Sequence, residues 1–389
     1  MSYKLNRAWA EVNLDNLAHN VREIRRITDK RSEIMGVVKA DAYGHGVMEV
    51  TKTLLENGVN CLAVSMLDEA IQLRQNGIKV PILIMSYTDP VRAEEIVLND
   101  VTQTVFSHDL AEALSEAAVK NNRNVKIHIK IDTGMTRVGF MPGYSAVKDV
   151  VRISRLPGII IEGLFTHFAS ADEIDDSYTY MQFERFMSIV NELNRIGVYI
   201  PIKHVCNSAG IIKFPNMHLS MVRPGVILYG LYPSEDVDKT KLDLKPAMTL
   251  KANVILVKRV EKGTHISYGG IFKTLKDSII ATIPIGYADG YTRLLTGKGR
   301  VLVRGEFAPI VGKICMDQCM VDITDIGKSI HVGDEVVLFG RQGGKEIKIE
   351  DLAKNVGTVN YELVCIIGKR IPRVYLKGGK VYDVLNYLI

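Results

Sequence analysis

The chain has 389 residues, of which 47% are hydrophobic, and a formal net charge of +5. That length predicts two domains with sizeable cores. The small positive excess is not gathered into basic runs, so neither nucleic acid nor an anionic membrane surface is expected as a partner. No stretch is apolar for long enough to span a bilayer, so no membrane is expected either. No apolar leader follows Met1, and the five cysteines are odd in number and scattered. Both features fit reduced thiols in a cytoplasmic protein. Cys315 and Cys319 lie four apart, but no histidine or further cysteine sits near them in sequence, so no metal site is expected.

From residue 11 to about 27, Leu14, Leu17, Val21 and Ile24 recur at helical spacing, with Asn13 or Asp15 able to cap the start. Residues 34–46 come next. An apolar run of strand character ends at Lys39, followed by Ala-Asp-Ala-Tyr43-Gly-His-Gly46, and a helical pattern starts near Val47. A lysine at the end of a buried strand is held rigidly and can condense with a carbonyl if its surroundings favour the free amine. The plainer reading is a solvated strand end.

A rhythm then sets in. Strand-like runs at 34–38, 61–64, 81–85, 102–106, 125–131, 159–165, 202–205 and 219–222 alternate with helical patterns at 47–57, 67–75, 92–98, 110–120, 146–153 and 180–196. Such alternation implies a parallel sheet, and eight units predict a closed (β/α)8 TIM-type barrel. An open doubly wound sheet would more often carry a glycine fingerprint after its first strand, which Gly44-His-Gly46 does not complete. Nearly every run is followed by a polar residue: Lys39, Ser65, Ser86, Ser107, Asp132, His167, Asn207-Ser208 and Arg223. In a barrel these converge on the face where barrel enzymes place their chemistry.

The polar stretch 234–243 reads as a linker, so the domains are expected at 1–240, the barrel, and 241–389, a C-terminal mostly β domain. In the latter, shorter runs at 250–260, 278–284, 301–311, 320–323, 335–339 and 373–376 look antiparallel, with helical patches at 349–355 and from 359.

Several clusters could carry chemistry. Lys130-Ile-Asp132-Thr-Gly-Met-Thr-Arg137-Val-Gly139 packs charges at a strand end, which is costly unless they are paired or used; a surface ion-pair network is the alternative. His167 ends an apolar strand, and a permanently charged Arg223 near it would keep it neutral. Asn207-Ser208 and Gly225-Val226 follow the seventh and eighth strands, the loops that often bind phosphate in barrels; each is also an ordinary glycine turn. In the second domain, Ser-Tyr268-Gly-Gly and Cys-Met316-Asp317-Gln stand out, with Tyr361 a further loop aromatic. A phenol titrates near ~10, so as a base Tyr268 would need a charged or hydrogen-bonded neighbour.

With these residues set out, the chain resembles the alanine racemases, pyridoxal-phosphate enzymes of fold-type III with an N-terminal (β/α)8 barrel and a C-terminal β domain. Val-Val-Lys39-Ala-Asp-Ala-Tyr43-Gly-His-Gly is similar to the family's cofactor-lysine signature. The segment 130–139, Thr-His167-Phe, Asn207-Ser208, Arg223-Pro-Gly, Ser-Tyr268-Gly-Gly and Cys-Met316-Asp317-Gln stand in the family's order. The resemblance implies that Lys39 carries pyridoxal 5'-phosphate and shuttles a proton on one face of the substrate, while Tyr268 works on the other. It implies Arg223 opposite the pyridine nitrogen, with His167 linking it towards Tyr268. It implies Tyr43, Ser208, Gly225, Val226 and Tyr361 around the phosphate, with Asn207 among the cofactor-binding residues. Arg137 would hold the substrate carboxylate, Met316 and Asp317 would line the substrate, and Lys130 stands at the position that is carbamylated in many members of the family. It further implies a homodimer in which Tyr268, Met316 and Asp317 come from the partner chain, and a role in D-alanine supply for peptidoglycan. Alanine is the expected substrate, with serine or a broader set of amino acids as the alternative. The rivals are amino-acid decarboxylases of the same fold type, which resemble one another in placing an acidic residue where Arg223 would stand, and non-catalytic pyridoxal-phosphate carriers, which are single barrels.

Overall fold

The computed structural model describes residues 7–389. It divides into two compact units. One comprises Leu17–Ala42 and Val47–Lys245; the other comprises, of the described residues, 7–16, Tyr43–Gly46 and Pro246–Ile389.

The first element is a strand, β1 (Ala8–Asn13), and only then does the helix Leu14–Ile27 begin. The helix therefore starts three residues later than the pattern read from residue 11. Asn13 still acts as expected at the start, since its Oδ1 accepts from the Asn16 amide at 3.0 Å.

In the first unit, β2 (Glu33–Val37), β3 (Cys61–Val64), β4 (Ile82–Ile84), β5 (Thr102–Val105), β6 (Val125–Lys130), β7 (Ile159–Phe165), β8 (Ile202–His204) and β9 (Met221–Val222) form one parallel sheet in sequence order. β9 pairs in parallel with β2. The remaining seam closes through Ser220 N–H to the Lys203 carbonyl at 3.1 Å and Arg223 N–H to the Cys206 carbonyl at 3.0 Å. The sheet is thus a (β/α)8 barrel of the TIM type. β3, β4 and β5 are buried at every position, because helices such as Val47–Glu56, Leu67–Gln75 and His108–Lys120 cover one side and the interior the other. The polar stretch 234–243 is not a free tether. Val237 and Leu242 are buried, and the Ser234 hydroxyl donates to the Asp172 carbonyl at 2.9 Å.

The second unit is mostly β. Its strands include β10 (Met248–Asn253), β11 (Leu256–Val260), β14 (Ser278–Ile283), β15 (Arg300–Val303), β16 (Glu306–Val311), β17 (Cys319–Asp322), β18 (Glu335–Gln342), β20 (Arg373–Lys377) and β21 (Lys380–Leu385), with the pairs β12–β13 (His265–Ile266, Phe272–Lys273) and β18–β19 (Lys345–Ile347) besides. β1 completes this sheet, antiparallel to β10 and parallel to β20. The run read at 301–311 is a hairpin, β15 and β16, turned at Arg304-Gly305. Two helices, Ile349–Val356 and Asn360–Cys365, interrupt the strands.

Candidate active site

Lys39 stands directly after β2, whose end is pinned. The Val37 amide donates to the Pro224 carbonyl at 3.0 Å, the Val38 amide to the Ala63 carbonyl at 2.9 Å, and Tyr229 Oη to the Val37 carbonyl at 2.9 Å. Lys39 itself is half-buried. The next four residues form a left-handed turn rather than an open loop: Ala40, Asp41, Ala42 and Tyr43 have φ of 52°, 54°, 54° and 53°. Left-handed backbone costs an L-residue roughly 1–2 kcal/mol, so four in a row need support. Glu69 supplies much of it. One carboxylate oxygen accepts the Ala40 amide at 2.6 Å, and the other accepts the amides of Ser65 at 2.7 Å and Met66 at 3.1 Å. The Asp41 carboxylate accepts the Val47 amide at 2.8 Å. Beyond the turn, both glycines of Gly44-His-Gly46 are dictated by space: a Cβ would meet the Val364 carbonyl oxygen at 2.3 Å from Gly44, and Tyr375 Oη at 1.9 Å from Gly46.

Within the barrel, Arg223 is 2% exposed. Its Nη1 donates to His204 Nδ1 at 2.8 Å, and its Nη2 donates to the carbonyls of Thr166 at 2.8 Å and Val205 at 3.0 Å. His167 Nδ1 lies 3.4 Å from Nη2, so the sequence-predicted pairing of Arg223 with His167 is the weaker contact and His204 the stronger. Arg223 Nε–H donates to no atom among the described residues. Burial brings this guanidinium down to about 10, which still leaves it cationic at neutral pH. His167 is pushed well below its ordinary value by burial, then by Arg223, Lys130, Arg137 and Lys39, and is therefore neutral. Lys130 is buried, with its Nζ 4.6 Å from the centre of the Phe165 ring. Burial first, then Arg223 and Arg137, push its amine well down, with only Asp132 acting the other way. The Asp132 carboxylate shapes the exposed Arg137 loop by accepting the amides of Gly134 at 3.0 Å, Thr136 at 2.9 Å and Arg137 at 2.8 Å. Burial raises its pKa, but those amides outweigh it and hold the carboxyl below its usual value.

The loops after β8 and β9 meet. Asn207 Oδ1 accepts the Gly210 amide at 3.0 Å, and Ser208 Oγ accepts the Gly225 amide at 3.0 Å, with Val226 next in the chain. Lys39, Lys130, Arg137, His167, Asn207, Ser208, Arg223, Gly225 and Val226 thus all belong to the barrel unit. Tyr43, Tyr268, Met316, Asp317 and Tyr361 belong to the other. There, the phenol of Tyr43 is pushed up by burial, then by Cys365 and Tyr361. Tyr268 is 70% exposed and Met316 is 52% exposed. Asp317 is held by Arg370 Nη1 at 2.7 Å, and Arg370 Nε also lies 3.5 Å from the buried Asp289.

Sequence reasoning does not single out Glu69, His204 or Arg370. A usable signal exists for the barrel interior: Lys126, His128 and Lys130 alternate along β6 and so share one face of a strand that is otherwise apolar. Glu69 looks like an ordinary first-turn helix acid, and its three amide partners lie outside its own helix. A surface cleft of about 1080 Å³ between the helices Tyr144–Ser154 and Ser177–Arg195 holds none of the predicted site residues. Among the described residues, no group of histidine, cysteine and acidic side chains could hold a metal ion, and no helix is long and apolar enough to cross a membrane.

The chain matches two families, described as the alanine racemase N-terminal domain over residues 12–233 and the alanine racemase C-terminal domain over residues 247–375. It is 52% identical over 380 residues to alanine racemase 1 of Clostridium acetobutylicum, covering 98% of each chain. It is 51% identical over 368 residues to an alanine racemase of Methanococcus maripaludis, covering 95% of this chain and 98% of that one. Among solved structures, alanine racemase of Clostridium difficile 630 superposes with a TM-score of 0.94 at 46% identity, covering 98% of this chain and 99% of that one. Alanine racemase of Bacillus anthracis with bound L-Ala-P superposes with a TM-score of 0.94 at 37% identity, covering 100% and 99%.

Proposed function

The chain belongs to the alanine racemase family, a family of isomerases, and on that premise we propose that it interconverts L- and D-alanine with pyridoxal 5'-phosphate through two bases, Lys39 and Tyr268. The observation that carries this reading is the buried Arg223, whose Nη1 and Nη2 are each anchored while its Nε–H is unclaimed among the described residues. A fixed, desolvated cation whose Nε–H is available suits the ring nitrogen of that cofactor, and a half-buried lysine on a rigid strand end suits its carbonyl carbon.

Bound there, pyridoxal phosphate would supply an electron-withdrawing ring conjugated with the substrate nitrogen, which weakens the bond from Cα to its hydrogen. Lys39 would hold the cofactor covalently and exchange a proton at Nζ on one face of Cα, and Tyr268 would do so at Oη on the opposite face. Two enantiomers differ only in the face that carries that hydrogen, so racemisation needs a proton-carrying group on each. Arg223 donates but cannot give up its proton near neutral pH, so it would leave the ring nitrogen unprotonated and moderate the ring's electron demand. His167, neutral beside it, would extend this contact towards Tyr268. Asn207, Ser208, Gly225 and Val226, with Tyr43 and Tyr361, would hold the cofactor, mainly at its phosphate. Arg137 would bind the substrate carboxylate, with Met316 and Asp317 closing the substrate side against side chains larger than alanine's. The low proton affinity of Lys130 suits its amine to add to carbon dioxide, giving a carbamate and releasing one proton. That negative charge would offset the cations of Arg137 and Arg223.

The active unit is proposed to be a homodimer in which Tyr268, Met316 and Asp317 of one copy complete the site containing Lys39 of the other. The proposed setting is the cytoplasm, with D-alanine passing to peptidoglycan; this rests on the bacterial relatives that share the sequence from end to end. Mixing a Lys39→Ala variant with a Tyr268→Phe variant tests the shared site. After subunit exchange, roughly a quarter of parent activity should return, because half the dimers are hybrids and one of the two sites in each is intact. Two inactive variants that stay inactive as proven hybrids would rule the shared site out.

A further inference from the structure

Behind Arg223 a line of polar contacts runs through the barrel interior. Arg223 Nη1 meets His204 Nδ1 at 2.8 Å, His204 Nε2 meets His128 Nδ1 at 2.9 Å, and His128 Nε2 lies 3.5 Å from Glu162 Oε2. Glu162 Oε1 pairs with Lys126 Nζ at 2.7 Å. An arginine only donates, so His204 Nδ1 must accept, and its proton sits on Nε2. His128 Nδ1 must then accept in turn, and its own Nε2–H faces the carboxylate. The same tautomers follow from the other end, because the ionised Glu162 carboxylate only accepts and so asks for the proton on His128 Nε2.

Two independent features of β7 serve this line. The β6–β7 register runs Ile127 to Ile161 and then His128 to Gly163, so Glu162 is the extra residue of a β-bulge. A bulge re-aims the side chain it carries. At the next residue, a Cβ on Gly163 would lie 2.5 Å from His128 Nδ1 and 2.6 Å from both Cγ and Cε1. Only glycine leaves the ring its place. His204 is held flat against Phe165, with ring centres 4.6 Å apart and planes 4° apart. Burial keeps both imidazoles below their ordinary values. The His128 contact, against the opposing effect of burial and together with Lys126, holds the Glu162 carboxyl down at about 2. A buried polar chain of this kind is a poor source of stability compared with packed apolar side chains, which points to a role in specifying geometry.

We propose that Glu162 and His128 are positioning residues for Arg223: through His204 they fix the acceptor that anchors Nη1, and so orient the spare Nε–H towards the cofactor's ring. This rests on the reading of Arg223 given above. A neutral His204 accepting at Nδ1 holds the guanidinium in one orientation. A His204 of the other tautomer would present an N–H to it and push it away.

The test uses histidine labelled with nitrogen-15, in protein freed of cofactor, so that it does not depend on turnover. Long-range proton–nitrogen correlations should show His128 and His204 as Nε2–H tautomers in the parent. Glu162→Leu removes the terminal acceptor; it should move the His204 Nδ1 resonance towards that of an unbonded nitrogen and weaken pyridoxal phosphate binding on the order of tenfold, as losses behind a ligand-holding group commonly do. Glu162→Gln keeps an acceptor and should stay close to the parent on both counts. Gly163→Ala keeps every charge but displaces the His128 ring, and should reproduce the Glu162→Leu result, which guards against a Leu variant that fails to fold. A parent in which either imidazole carries its proton on Nδ1 would overturn the proposal, as would Glu162→Leu and Gly163→Ala proteins that match the parent in resonance and affinity. If the parent shows the predicted tautomers but takes up no pyridoxal phosphate, the functional reading of Arg223 fails and the proposed role of the line fails with it. If it binds the cofactor and shows the wrong tautomers, only the positioning proposal fails.

Discussion

Buried imidazoles set the acid limit of this molecule. His128, His167 and His204 are all held below the ordinary imidazole value, chiefly by burial, and His218 is lowered in the same way. Where folding depresses a group's pKa, the unfolded chain binds more protons, so the group's contribution is intact above the unfolded value and is lost as pH falls. For imidazole that loss starts near ~6.5. The depressed carboxylates, such as Glu23 and Glu162 at about 2, begin to matter only below their own unfolded value, near ~4.3. Denaturation of the cofactor-free protein should therefore show stability falling between pH ~6.5 and ~4.5 with more than one proton taken up on unfolding. A flat profile over that window would contradict neutral imidazoles in the barrel. Lys130 gives a second expectation. Protein exchanged into carbon-13 bicarbonate should show one carbamate carbon that a Lys130→Met variant lacks, and its absence from the parent would rule out the modification. Lys39 and Arg223 stood out in the sequence because each is a charged residue that follows an apolar run, and Lys130 because it opens a cluster of charges at a strand end. His204 and Glu162 were not, since their meaning lies in partners across the barrel, and no local spacing reports those.

The alternation of strands and helices in the barrel was legible to within three residues, apart from the short helix Ser208–Lys213, for the reason that makes it a barrel. Most strands covered on both faces are rich in apolar and β-branched residues, and the helices between them keep a clear 3.6-residue stripe. The misses have physical causes. β1 carries Glu11 and Asn13 among apolar residues just before a strongly amphipathic helix, and its alternation merges with the helical stripe. β21 is an edge strand that is largely exposed, so it has no apolar face to detect. The left-handed turn after Lys39 was hidden for a different reason. Ala40 and Ala42 have no preference for positive φ, and the turn is imposed by acceptors brought from elsewhere, Glu69 above all. Glu69→Ala should therefore cost about 2–3 kcal/mol in urea denaturation, because one charged acceptor serves three amides. A cost below about 0.5 kcal/mol, the scale of a neutral surface change, would mean that the turn holds itself.

At the scale of the whole chain, the order of residues and the order of structure part company. Tyr43–Gly46 is assigned with the C-terminal strands although it lies only four residues beyond Lys39. Within that unit, the buried Arg373 in β20 donates to the Gly44 carbonyl at 2.9 Å and to the Ile367 carbonyl at 2.6 Å, and Tyr375 Oη donates to the His45 carbonyl at 3.2 Å. The links from Arg373 to Gly44 and from Tyr375 to His45 span 329 and 330 residues of sequence, which is why a linear reading sees only a glycine loop and a late strand. The two-domain architecture was legible from the change in rhythm near residue 240, whereas the membership of β1 and of residues 43–46 was not.

The central claim is that this chain racemises alanine with Lys39 and Tyr268 as its two bases. The most direct measurement incubates the purified protein and pyridoxal phosphate with pure L-alanine and resolves the enantiomers over time. Enantiomers have equal free energy in water, so the account predicts D-alanine rising until the two are equal, with the rate collapsing in both Lys39→Ala and Tyr268→Phe. L-alanine that stays enantiopure in the presence of protein carrying the cofactor on Lys39 would contradict it.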